Sequence, residues 1–161
     1  MLETKRNVVL ALAVCTLLLP MTGSAKQRVE RPFKMYASHT RVLNFDLWTW
    51  TTGEESGRAT HLGLFTSSGE GTFSGDFVEG TFRLKLFTGS GYYAVANGEK
   101  VFWDVAVEGV NSPILTFTGG TGRFEGASGS VTLTITAQTK TLEWPLLTIT
   151  ESFSGIGTIT Y

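Results

Sequence analysis

From Phe33 to the end of the chain, hydrophobic and polar positions alternate in twos, and no stretch shows the 3.6-residue apolar spacing of a helix. "SVTLTITAQT" sets Val131, Leu133 and Ile135 against Thr132, Thr134 and Thr136. "TFRLKLFT" sets Phe82, Leu84 and Leu86 against Arg83 and Lys85. "RVLNFDLWTW" puts Leu43, Phe45 and Leu47 on one face, and "ATHLGLFT" puts Leu62 with Leu64. "VFWDVAVEG" aligns Val101, Trp103, Val105 and Val107, and "LLTITESF" aligns Leu147, Ile149 and Phe153. Strands that are apolar on one side only belong to an antiparallel sheet with one buried face. With "ILTFT" and the C-terminal "SGIGTITY" the pattern predicts about seven or eight strands, separated by Gly-rich turns. Asn97-Gly98 predicts a type I′ hairpin. A meander of such strands must close or double up to protect its edges, so the expected fold is all-β, an antiparallel closed barrel of about eight strands. The barrel domain spans 33–161 in this reading, behind a charged tail, "KQRVERP", at 26–32.

The first 25 residues break the pattern. Lys5 and Arg6 precede the apolar run "VVLALAVCTLLLP", and Gly23-Ser24-Ala25 follows it. A basic start, a short apolar stretch and a small-x-small exit predict a signal peptide helix over 1–25, cleaved after Ala25. The run falls short of the roughly 20 residues of a membrane span. The expected product is therefore secreted, or held in the periplasm or cell envelope, with no membrane span left after cleavage. The one cysteine, Cys15, lies within the signal, so the domain must rest on packing and not on disulfides. The formal net charge is −1, without a basic block, which argues against nucleic acid as a partner.

Residues 119–130, "GGTGRFEGASGS", concentrate Gly119, Gly120, Gly122, Gly126 and Gly129. A glycine loop cradles a phosphate when a helix follows and offers its N-terminus to the anion. Here a strand follows, so the glycines are read as a tight strand-to-strand connection that packs Phe124 over the barrel end. No nucleotide or other cofactor is expected.

"LTFTGGTGRFEGASGSVTL" resembles the late signature of the allene oxide cyclase and dirigent barrel superfamily. "SGRATHLGLFTSS" is similar to its early Gly-Arg-Ala segment, and "DVAVEG" stands where the family has a strand ending in Gly. The resemblance covers roughly residues 54–136, with gaps. It implies an eight-stranded antiparallel barrel, often a homotrimer, with an apolar cavity in which plant members steer cyclisation of an unstable epoxide or coupling of radicals. Dirigents commonly read Ala-Arg-Gly where this chain has Ala127-Ser128-Gly129, which removes a charged cavity residue and argues against dirigent activity. The closer likeness is to bacterial secreted barrels of this type.

Few side chains suggest chemistry. Glu151 shares its face with Leu147, Ile149 and Phe153, where burial would raise its pKa and make it a weak candidate acid or base. Trp103, on a core-facing strand, is a candidate ligand contact. Trp48 and Trp50 fall opposite Leu43 and Phe45, beside Asn44 and Asp46; they would form a subunit interface, a sugar-stacking platform or a ligand wall. His39 and His61 have no spaced partners, so no metal site is expected. The leading expectation is an exported barrel that binds a small apolar molecule or serves as an envelope module. The alternatives are a cofactor-free cyclase or isomerase and a carbohydrate-binding module. Expressed in a bacterium, the exported protein should begin at Lys26; N-terminal sequencing that finds Met1 intact on it would refute the signal.

Overall fold

The computed structural model describes residues 28–109 and 112–161. The expected signal peptide and its cleavage site lie outside the described residues. Eight strands run in chain order: β1 (Glu30–Asn44), β2 (Thr49–Ala59), β3 (Gly63–Val78), β4 (Thr81–Val95), β5 (Lys100–Glu108), β6 (Ile114–Gly120), β7 (Ser128–Glu143) and β8 (Leu146–Thr160). Each is antiparallel to the next, and β1 pairs along its whole length with β8, so the sheet closes on itself. The first strand starts at Glu30, ahead of the expected Phe33, because Glu30 and Arg31 pair with Thr160 and Ile159.

Apolar residues fill the inside. Phe33, Met35, Val101, Phe124, Val131 and Ile159 are wholly buried at one end, whereas the outer face mixes Thr, Ser and charged residues with exposed apolar side chains such as Tyr36, Leu64 and Ile156. Among the described residues no helix is long and apolar enough to cross a membrane.

Simple alternation fails in several places, each for a local reason. The chain turns over residues 45–48, so Leu47 is exposed and Trp48 takes a positive φ of 55°. Trp50 then begins a new strand and points inward, 2 % exposed, on the same side as Leu43. The segment read as one strand is thus two strands and a corner, and Trp48 and Trp50 do not share a face. Likewise a turn through His61 (φ 69°) that ends at Gly63 (φ 72°) leaves Leu62 buried and Leu64 exposed. Three bulges reverse the inward parity within strands. The register against β1 moves from His39↔Glu55 to Arg41↔Thr52, which gives β2 one extra residue and turns Glu55 inward. In β4 the pairs Ser74↔Leu86 and Gly75↔Leu84 leave Lys85 over, so Phe87, and not Leu86, is buried. In β7 the pairs Ile135↔Phe153 and Ala137↔Ser152 leave Thr136 over, and Gln138 then faces inside.

The Asn97-Gly98 hairpin differs from type I′. Gly98 alone takes positive φ (85°), with Gly98 N–H donating to Val95 O and Val95 N–H to Glu99 O. This is a longer loop built on an ordinary turn and one left-handed glycine.

The glycine-rich loop is a connection, as the pattern predicts. β6 ends at Gly120, a short 3-10 turn covers Gly122–Phe124, and β7 starts at Ser128. Phe124 is wholly buried and lies 5.1 Å from the Tyr161 ring, closing that end of the barrel. Gly122 has φ 60°, a conformation costly for a side chain with a Cβ. Its added Cβ would also meet the Glu99 side chain, which holds Arg123 through an Nε–Oε2 contact of 3.2 Å. Gly122→Val should therefore destabilise the fold by about 1–3 kcal/mol in chemical denaturation. An unchanged midpoint would mean the loop relaxes freely.

Candidate functional site

A cavity of about 790 Å³ opens inside the barrel. Its wall is mostly apolar, from Leu43, Trp50, Phe87, Trp103, Val105 and Leu115 among others. The lower end is closed by the buried cluster around Phe124. Arg83, Gly109, Pro113 and Lys140 line it toward the other end, where β5 and β6 are shortest.

One band of this wall is polar, and strand pairing explains it. Gln138 pairs with Glu151, Glu151 with His39, His39 with Glu55, Glu55 with Ser67, and Ser67 with Tyr93. Six neighbouring strands thus each place one hydrogen-bonding side chain on a single row. His39 stands between the two carboxylates. Its Nε2 lies 3.1 Å from Glu151 Oε2, and its Nδ1 lies 3.4 Å from Glu55 Oε2, a longer ion-pair contact. The Gln138 amide donates to Glu151 Oε1. Arg41, one inward position along β1, reaches Glu151 Oε2 at 3.5 Å. Its guanidinium lies over the rings of Phe87 (4.7 Å) and Trp50 (5.3 Å), so aromatic faces replace part of its lost hydration.

These contacts set the charges. Burial works to lower the His39 pKa, but the hydrogen bond to Glu151 and the contact with Glu55 outweigh it, and the value is raised from 6.5. Burial works to raise that of Glu151, but His39, Arg41 and Gln138 together hold it below 4.5. The expectation of a raised Glu151 is thereby corrected: desolvation is present, yet a buried carboxylate with a cation and two further donors stays ionised. Burial and then the charge of Glu55 push the Tyr93 phenol well up, so it stays neutral. With His39 a cation, Nε2–H donates to Glu151, and Arg41 Nη2, 3.1 Å from Nε2, acts on the imidazole as a like charge.

Two tryptophans owe their positions to glycines. Gly71 and Gly89 are cross-strand partners behind Trp50, and Gly69 and Gly91 are partners behind Trp103. A Cβ on Gly71 would come 2.7 Å from Trp50 Nε1, and one on Gly69 would come 2.5 Å from Trp103 Cη2. Both indoles lie back on bare backbone and leave the centre open. Trp50 Nε1–H donates to Thr88 O at 2.9 Å. Trp103 Nε1 is buried with no hydrogen-bond partner, as are His39 Nδ1, Arg41 Nε, Glu55 Oε1 and Ser67 Oγ.

Of the residues singled out from the sequence, Glu151, Trp50 and Trp103 meet around this cavity, and Trp48 does not. Trp48 packs at the corner against Phe45 and Phe73. The glycines of the 119–129 loop close the far end and do not line the cavity. His61 sits in a turn, its Nε2 3.1 Å from Pro32 O. His39, Arg41, Glu55 and Gln138 were not anticipated. His39 was within reach, since it keeps the odd-numbered alternation of Phe33, Met35, Ala37 and Leu43. Glu55 and Gln138 follow bulges, so no alternation rule finds them. Among the described residues no group of three or more acidic, His or Cys side chains could hold a metal ion. No family model and no curated protein matches the chain.

The two shifts predict a pH window. Glu151, with its lowered folded pKa, stabilises the fold above its unfolded value of 4.5 and loses this as pH falls through the folded value. His39, with its raised folded pKa, stabilises below 6.5 and loses this as pH rises through its folded value. Both contributions are complete between pH 4.5 and 6.5. Glu151→Gln should cost roughly 1–3 kcal/mol there and lower the His39 pKa read by NMR. A variant as stable as the parent across that window, with His39 unmoved, would show that the pair carries no stability.

Proposed function

We propose that this chain is an exported small-molecule-binding barrel, and that its occupant is an uncharged, largely apolar molecule bearing one hydrogen-bonding group. The observation that carries the reading is the cavity, about 790 Å³ within an apolar and aromatic wall, with unpartnered polar atoms along one side. Its size suits a single ligand of ordinary metabolite dimensions. Beside the polar row the charge favours a neutral group: His39 and Arg41 balance Glu55 and Glu151, so an ion placed there would lack a counter-charge, while Arg83 and Lys140 stand toward the other end. The unpartnered Trp103 Nε1–H is matched by an acceptor on the ligand, and Glu55 Oε1 by a donor.

The likeness of the 115–133 segment to the allene oxide cyclase and dirigent superfamily supports the same reading, since those barrels hold reactive apolar molecules in their interiors. Membership of that superfamily, trimeric assembly and export through the N-terminal signal are parts of this proposal. The carbohydrate reading loses its support, because Trp48 and Trp50 form no common platform.

The neutral fluorophore prodan tests the site. One molecule should bind per chain, with a blue-shifted emission and quenching of tryptophan fluorescence. Val105→Trp, which fills the cavity, should abolish this while the fold persists by circular dichroism. Undiminished binding to a folded Val105→Trp variant would place the fluorophore elsewhere and sink the reading. Native mass spectrometry of the purified protein would show any retained occupant and the number of chains.

A further inference from the structure

The two carboxylates that flank His39 are in different states of use. Both oxygens of Glu151 are engaged: Oε2 by His39 and Arg41, and Oε1 by the Gln138 amide. Glu55 turns Oε2 toward His39 Nδ1, whereas Oε1 is buried without a hydrogen-bond partner. The residue is 5 % exposed and lines the cavity. A β-bulge, a costly local irregularity, turns it inward. A buried carboxylate oxygen without a donor is destabilising unless something occupies the space before it. Trp103, which also lines the cavity, carries an Nε1–H without a hydrogen-bond partner.

We propose that Glu55 is a general base, and that the barrel catalyses a cofactor-free proton shift on a neutral carbonyl compound held in its cavity. The proposal rests on the cavity being the binding site described above. Glu55 Oε1 takes a proton from the carbon next to the carbonyl. The C–H electron pair forms a C=C bond, and the carbonyl pair moves onto oxygen. The products of this step are a protonated Glu55 and an enolate. For a β,γ-unsaturated compound, Glu55 returns the proton at the γ-carbon, the C=O bond re-forms, and the double bond has moved into conjugation. Atoms and electrons balance without an oxidant, reductant or metal. N–H donors on a water-poor wall are suited to stabilise the oxygen charge that develops. Trp103 Nε1–H is the donor available, since His39 Nδ1 is set against Glu55 Oε2. Glu151, held in place by Gln138 and Arg41, acts as a positioning residue that keeps His39 cationic against the like charge of Arg41, so that the imidazolium offsets both carboxylates. Two carboxylates thus take two roles because their surroundings differ.

The experiment uses the purified chain and 5-nitrobenzisoxazole, a neutral apolar probe of general bases. A base removes its C3 proton, the N–O bond breaks, and the electron pair emerges on a coloured phenolate oxygen. The expected rate per Glu55 exceeds that of acetate at equal concentration and pH by at least about a hundredfold. Glu55→Gln should lose at least about tenfold of that rate while still binding prodan. Glu70→Gln, on the outer face of β3, should leave it unchanged. Glu55→Asp, which keeps the charge but retracts it, should slow the reaction without weakening prodan binding. It decides the matter if the glutamine variant does not fold. A protein that binds prodan yet opens the probe no faster than acetate overturns the base assignment alone, as does a folded Glu55→Gln or Glu55→Asp variant of undiminished rate. A protein that neither binds prodan nor turns the probe over overturns the binding reading as well.

Discussion

Four charges sit inside this barrel, and they are tolerable only together. His39 is held between Glu55 and Glu151, with Arg41 beside them on the same strand, and the two carboxylates come from the two different pairings of β1. Glu151 is 112 residues away from His39 in the chain and reaches it only when β8 closes the ring against β1. Burying any one of these groups alone would cost several kcal/mol. Closure of the sheet and neutralisation of its interior are therefore one event. The site does not sit on a finished scaffold; its ion pairs form as the last seam of the scaffold forms. The surrounding aromatic wall strengthens the pairs by excluding water, and the cation–π contacts of Arg41 relieve part of the resulting desolvation.

How much of this could be read from the chain depends on where the backbone stays regular. In β1 and β8, alternation runs unbroken, and the inward set is legible: Leu147, Ile149, Glu151 and Phe153 on one strand, Phe33, Met35 and Leu43 on the other. The all-β class, the number of strands and the role of the glycine loop follow from such stretches and from turn chemistry. Trp48 and Trp50 were misplaced because a corner at 45–48 has no Gly or Pro to mark it. Glu55 and Gln138 were missed because a bulge adds a residue without changing the composition of the strand. The Glu151 pKa was misjudged because its neighbours lie across the ring and leave no trace in local spacing. The residues that fill the core were thus visible, and those that give the cavity its chemistry were mostly not.

The glycine pairs behind Trp50 and Trp103 have a consequence of another kind. The width of the cavity is set there by missing side chains, since each indole rests where a Cβ would otherwise stand. Ser67 and Tyr93 of the hydrogen-bonding row share β3 and β4 with these glycines, but its charged members and Gln138 lie elsewhere, on β7, β8, β1 and β2. Capacity and chemistry are therefore encoded in separate parts of the wall. A lineage of such barrels could change the bulk of its occupant at position 69, where an added Cβ presses on the Trp103 indole, and keep the same polar contacts; at 71, 89 and 91 the Cβ would also strike neighbouring backbone, at 2.0, 2.4 and 2.3 Å. It could equally retune the polar row and keep the same space. A container in which these two properties vary independently can be adapted to many guests without rebuilding its frame.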